Sequence, residues 1–251
     1  MPKTDINGFK RRSKNVFDPN ATKPFKLSRT KLENFVCCPR CFYLDRRLGI
    51  GVPPGFPFNL NSAVDHLFKK EFDSYRAQKK PHPLMLQYNI GAIPYQHKDL
   101  DTWRENFVGV QYYHEKTNFL LFGAVDDIWE KPDGELIVVD YKSTSINGEI
   151  TLHDEWKDSY KRQMEIYQWI LRRNGFAVSN TGYFVYANGL KDPDGFNDTL
   201  LFKTTVLLYT GNDSWIEDTL IRAHECLSSN TIPEYNSECS FCAYQALTHN
   251  V

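Results

Sequence analysis

The amino-acid sequence predicts an α/β fold with a central mixed β-sheet flanked by helices, and three observations carry that expectation. Residues Ala63, Val64, Leu67, Phe68 and Phe72 recur at helical spacing, which predicts a helix from Leu60 with one buried face. Two strand-like runs, about 119–130 and 135–143, flank the turn Pro132-Asp133-Gly134 and predict an antiparallel hairpin. A helical segment over 157–174, closed by Asn174-Gly175, then separates the hairpin from two further strands, TGYFVYANG and LFKTTVLLY.

The remaining elements follow from local signals. LSRTKLENF opens a short helix with Ser28 or Thr30 as N-cap, and Thr30 with Glu33 fits a capping box. GVPPGFPFN holds three prolines and two glycines and reads as a loop. A last helix falls near 213–227, ahead of a cysteine-bearing tail.

Hydrophobic residues make up 41% of the 251 and charged residues 24%, enough for a packed core and ordinary for a globular chain. No apolar run approaches the ~18 residues that a membrane span needs. The start MPKTDINGFKRRSKN lacks the apolar core of a secretory signal, so a cytoplasmic protein without membrane association is expected. The net charge of -1 hides an asymmetry: residues 1–31 hold nine Lys/Arg against Asp5 and Asp18, a charge of +7 that leaves -8 on the rest. Residues 1–25 are therefore read as a basic flexible arm, either solvated or gathered along a phosphate backbone through Lys10, Arg11 and Arg12. Residues 26–251 are read as a single domain.

Lys131-Pro132-Asp133-Gly134-Glu135 suits a three-residue hairpin loop, with proline entering a type I turn and glycine in the left-handed position. In that register Asp126 lies across from Asp140, Cβ atoms about 5 Å apart, and Lys142 shares the face of Asp140. Facing like charges destabilise a sheet unless a cation lies between them, and Mg²⁺ or Mn²⁺ suits carboxylate oxygens. A two-residue loop would instead bring Asp127 opposite Asp140. An Asp and a Lys two apart on a strand also occur as plain surface ion pairs.

GAVDD (123–127), VVDYKS (138–143) and Gln163-x-x-x-Tyr167, in that order, resemble the motifs of PD-(D/E)XK nucleases of the RecB-like exonuclease type, including CRISPR adaptation exonucleases. The resemblance runs from about Leu27 to Tyr244. It implies a restriction-endonuclease-like core with Asp126 and Asp140 binding the metal, Lys142 catalytic, and Gln163 and Tyr167 serving the site. By the same resemblance His66 and the carbonyl of Tyr141 complete the metal shell, although Asp65 adjoins His66 and competes for that role. The implied activity is Mg²⁺- or Mn²⁺-dependent hydrolysis of DNA, on single strands or duplex ends. An RNA-directed nuclease and a silent nucleic-acid-binding module with the same fold remain the alternatives.

Cys38-Pro-Arg-Cys41 and Cys239-Ser-Phe-Cys242 form two C-x-x-C pairs, a pattern for four thiolates around one structural metal. They would staple 26–50 to 226–251. The related nucleases that hold a [4Fe-4S] cluster take one early and three late cysteines, and the last late position is Thr248 in this chain. The two-plus-two pattern leaves Zn²⁺ and [4Fe-4S] both open. Cys37 and Cys226 are expected to be small buried hydrophobes.

Overall fold

The computed structural model describes residues 11–52 and 58–249. Its elements run β1 (Phe25–Ser28), α1 (Arg29–Cys37), α2 (Pro39–Arg46), α3 (Asn59–Gln78), α4 (Pro83–Gln87), β2 (Ile93–Pro94), α5 (Leu100–Trp103), β3 (Val110–His114), β4 (Phe119–Gly123), β5 (Asp127–Glu130), β6 (Leu136–Thr144), α6 (Asp158–Arg173), β7 (Thr181–Gly189), β8 (Phe202–Thr210), α7 (Ile216–Ser228) and α8 (Ser240–His249). The chain divides into two compact units: Met1–Gly55 with Tyr113–Phe122 and Ser214–Val251, and Phe56–Tyr112 with Gly123–Asp213.

The second unit holds a five-stranded mixed sheet in the order β2-β5-β6-β7-β8. β6 and β7 run parallel, with Asp140 opposite Phe184 and Lys142 opposite Tyr186, while β5–β6 and β7–β8 are antiparallel. A parallel pair needs a crossover between its strands, and α6 supplies it. Side-chain alternation then sorts the two faces of β6. Val139 and Tyr141 join Phe68 and Phe72 of α3 and Trp129 in one apolar core, with the Phe68 and Tyr141 rings stacked at 5.0 Å. Asp140 faces α6 on the other side, where Gln163 reaches it. α6 lies close on the sheet because residue 182 has no side chain: a Cβ at Gly182 would meet Met164 Sδ at 2.5 Å and the Val138 carbonyl oxygen at 3.0 Å.

The first unit contains α1, α2, α7 and α8. A three-stranded sheet has the order β1-β4-β3, with Phe25 paired to Phe119 in the parallel β1–β4 ladder. Ser28 is the N-cap of α1, its hydroxyl accepting from the Lys31 N–H at 3.4 Å. Phe17 is buried edge-on against Phe25, Phe119 and His224, with centroids 5.4–6.1 Å apart. The Arg12 N–H donates to the Gly49 carbonyl at 2.7 Å. Within the stretch read as a flexible arm, Phe17 therefore has an aromatic anchor and Arg12 a backbone one. Residues 1–10, Lys10 among them, lie outside the described residues.

The single strand expected over 119–130 is two strands. β4 belongs to the three-stranded sheet and β5 to the five-stranded one, and residues 124–126 between them are not in a strand. The physical reason is Asp126, whose carboxylate takes the Tyr141 N–H at 3.0 Å and so begins the pairing with β6 through a side chain.

Candidate active site and cysteine cluster

The hairpin sets the geometry of the site. Lys131 N–H donates to the Glu135 carbonyl at 2.9 Å, Gly134 N–H to the Lys131 carbonyl at 2.9 Å, and Gly134 has φ +86°. This is the three-residue loop, and it fixes Asp127 opposite Val139 and Ile128 opposite Val138. One step further along this register Asp126 falls opposite Asp140. Asp127, on the other face, is fully buried among the Tyr141 hydroxyl (2.7 Å), Arg104 (2.9 Å) and Arg76. It serves the frame rather than the cluster.

Asp126 is held at both ends. Arg104 Nε donates to its carbonyl at 3.0 Å, and Lys69 Nζ lies 3.2 Å from Oδ1. Burial pushes its carboxyl pKa up, but Lys69, Lys142 and the Tyr141 N–H together hold it below the usual carboxylate range. Asp140, fully buried, accepts from Gln163 Nε2 at 2.7 Å and pairs with Lys142. Gln163 Nε2 lies 3.3 Å from the Tyr167 hydroxyl, so the two α6 residues one turn apart converge on Asp140. Lys142 Nζ also sits 4.6 Å from the centre of the Tyr160 ring.

α3 contributes Asp65 and Lys69, four residues apart and paired at 2.8 Å. Burial, and then the neighbouring charge of Asp126, raise the Asp65 pKa. Its Oδ1 is shielded from solvent and has no hydrogen-bond partner. His66, one residue on, is rotated by about 100° around the helix. It is exposed, and among the described residues neither it nor Asp65 is gathered with Asp126 and Asp140 into a group of metal-ligand spacing. The α3 carboxylate tied to Asp126, through a shared ammonium, is Asp65.

Asp65, Asp126 and Asp140 bring three acidic groups against the ammonium groups of Lys69 and Lys142. These are hard oxygen donors of the kind that divalent cations take, and Asp65 Oδ1 is a buried carboxylate oxygen with no hydrogen-bond partner. Lys69 is the site residue that sequence reasoning missed. Its signal was its phase with Phe68 and Phe72 and its i,i+4 spacing from Asp65. Tyr186 was also missed: its hydroxyl is buried beside Tyr160 and Asp140 with no hydrogen-bond partner, and burial keeps it protonated.

In the first unit Cys38, Cys41, Cys239 and Cys242 converge, all four sulfurs within 4.8 Å of one another. Sγ separations are 3.7 Å for Cys38–Cys242, 3.6 Å for Cys41–Cys239 and 3.8 Å for Cys41–Cys242. Cys38 is the N-cap of α2, its sulfur accepting from the Cys41 N–H at 3.4 Å with Pro39 at the first position, so the helix start aims both early thiols the same way. Burial raises the Cys38 and Cys41 thiol pKa values, whereas backbone N–H groups and the neighbouring thiols bring Cys239 down. Cys37 and Cys226 stand outside the cluster. Cys37 is exposed and donates to Glu33 at 3.2 Å, which corrects the expectation that it is buried.

Of the basic residues near the start, Arg12 pairs with Asp45 at 3.4 Å, and Arg11 is exposed. Among the described residues no helix is long and apolar enough to cross a membrane.

The family model of the PD-(D/E)XK nuclease superfamily matches residues 58–247. The chain belongs to this superfamily. The matched span carries Asp65, Asp126, Asp140, Lys142, Gln163 and the late cysteine pair, and it begins after Cys38 and Cys41. PD-(D/E)XK nucleases use divalent metals and act on nucleic acid, in keeping with the carboxylate set described above. The solved structure of SSO0001 is similar to this PD-(D/E)XK chain at 18% identity with a TM-score of 0.40, covering 92% of this chain and 87% of its own. No curated protein matches the sequence.

Proposed function

We propose that this chain is a Mg²⁺- or Mn²⁺-dependent deoxyribonuclease of the RecB-like type, acting as an exonuclease on single strands or duplex ends. The observation that carries the reading is Asp126, just before β5, where the β5–β6 register carried one step on faces Asp140, with the Lys142 ammonium on Asp140. A divalent ion held by Asp126, Asp140 and Asp65, with the Tyr141 carbonyl as a further donor, would polarise the scissile phosphate and activate water. Lys142 counters the charge that develops on the phosphate and orients the attacking water. Gln163 fixes the rotamer of Asp140, and Tyr167 supports Gln163. The low pKa of Asp126 keeps that carboxylate anionic across the neutral range.

The cysteine cluster reads as one structural Zn²⁺. Four thiolates ~2.3 Å from a tetrahedral centre lie about 3.8 Å apart, close to the three separations of 3.6–3.8 Å, and all four sulfurs lie within 4.8 Å of one another. A [4Fe-4S] cubane places a separate iron under each sulfur and needs them spread further apart. Reduced, metal-bound thiols suit a cytoplasmic setting.

Purified protein with Mn²⁺ is expected to degrade end-labelled DNA. Asp140→Ala and Lys142→Ala are expected to abolish degradation with an unchanged circular dichroism spectrum. Undiminished cutting by either variant, or DNA binding without cutting by the wild type, refutes the assignment. Elemental analysis is expected to return one zinc per colourless chain, and a brown, iron-containing preparation refutes the zinc reading.

A further inference from the structure

Trp156 lies in the short 3-10 turn Glu155–Lys157 that leads into α6, and the largest side chain in the repertoire is 60% exposed there. It is nevertheless fixed in place. The Tyr160 ring meets it edge-on at 5.6 Å, and the Lys157 ammonium sits 4.9 Å from its centre. Lys157 is itself buried and anchored, donating to the Thr151 carbonyl at 2.6 Å and pairing with Asp154 at 2.7 Å. Tyr160 in turn carries Lys142 over its face. An unbroken run of contacts therefore links the lysine beside Asp140 to an indole oriented by its neighbours and open to solvent.

We propose that Trp156 is a stacking platform for an unpaired base of the substrate strand, a specificity residue that favours single strands and frayed ends over closed duplex. Contacts of 4.6 and 5.6 Å through Tyr160 join it to Lys142, so the two are no further apart than about three bases at ~3.4 Å rise. A base inside a duplex already has both faces covered by its neighbours, whereas an unpaired base offers one to the indole. Stacking on an aromatic side chain is tolerant of sequence, which suits a nuclease that digests a strand progressively. Immobilisation by Lys157 and Tyr160 lowers the ordering cost of binding. This inference rests on the nuclease reading above.

Fluorescence anisotropy with fluorescein-labelled oligo(dT) and a labelled blunt hairpin, both in Ca²⁺, reads the preference as a ratio of affinities. Trp156→Ala is expected to lower the single-strand-to-duplex ratio about 10-fold, and Trp156→Phe, which keeps a flat ring, to restore most of it. An unchanged ratio in Trp156→Ala overturns the proposal, as does a Phe variant that loses as much as the Ala variant. Wild-type protein that cuts DNA while Trp156→Ala keeps the wild-type ratio leaves the nuclease reading standing and removes only this one. Wild-type protein that neither cuts nor binds removes both.

Discussion

Asp127 opens β5 and Asp126 directly precedes it, yet the two side chains have different surroundings and different consequences on substitution. Asp127 neutralises Arg76, itself almost fully buried, and Arg104. Asp127→Ala leaves the half-exposed Asp73 as the remaining carboxylate paired with both guanidinium groups and is expected to destabilise the protein by about 3 kcal/mol in a urea titration. Asp126→Asn keeps its shape and is expected to retain the urea midpoint to within ~1 kcal/mol while losing Mn²⁺-dependent cleavage. Equal loss of stability in both would contradict the division of labour. The sequence already placed Asp126 rather than Asp127 opposite Asp140, since a type I turn with glycine at a positive φ dictates the register. It left His66 and Asp65 as neighbouring candidates for the α3 ligand, because motif spacing names a helix position only to within a residue, whereas one residue turns the side chain by about 100°. Lys69 escaped notice because a lysine four residues after an aspartate on a helix is ordinary surface chemistry until Asp126 arrives beside it from 57 residues away.

At the level of elements, α3, the β5–β6 hairpin and α6 were legible because each buries a periodic face or carries turn chemistry. β1, β2 and β3, of four, two and five residues, were not. Too few alternations fit in so short a strand to register a period, and β1 passes directly into the capped start of α1. Gly134→Ala tests the hairpin: a Cβ there meets nothing within 4 Å, so the penalty is purely conformational, about 1 kcal/mol, and visible as a lower urea midpoint. α7 offers a second test. Hydrogen bonds from Lys116 and His114 lower the pKa of Glu217 in its first turn from 4.5 to about 2. A carboxyl depressed on folding stabilises fully above its unfolded value, and this contribution fades as pH falls from about 4.5 to about 2. Glu217→Gln is expected to flatten that part of the stability-against-pH curve, and a superimposable curve would exclude the linkage.

At the level of the whole molecule, the two candidate metal sites fall in different compact units, so their occupancies are expected to respond separately. Brief EDTA treatment is expected to halt DNA cleavage, Mn²⁺ to restore it, and zinc content to stay at one per chain throughout. Cys41→Ser is expected to release the zinc and lower the melting temperature in calorimetry, since the Cys41–Cys239 link spans 198 residues and constrains the unfolded chain. Retained zinc in that variant would place the metal elsewhere. The two-plus-two cysteine pattern was legible because it is local at each end. The division into two units was not, since one of them is assembled from three separate stretches of sequence, and no local signal records that they meet.

That three-part unit has a consequence for biosynthesis. Cys38 and Cys41 emerge from the ribosome long before their partners, and the whole of Gly123–Asp213 is translated in the interval. The nascent chain therefore carries an unfilled half-site until Cys239 and Cys242 have been made. The carboxylate-bearing sheet is free to mature first, while a metal at the four cysteines can bind only afterwards and the early thiols wait within reach of oxidants.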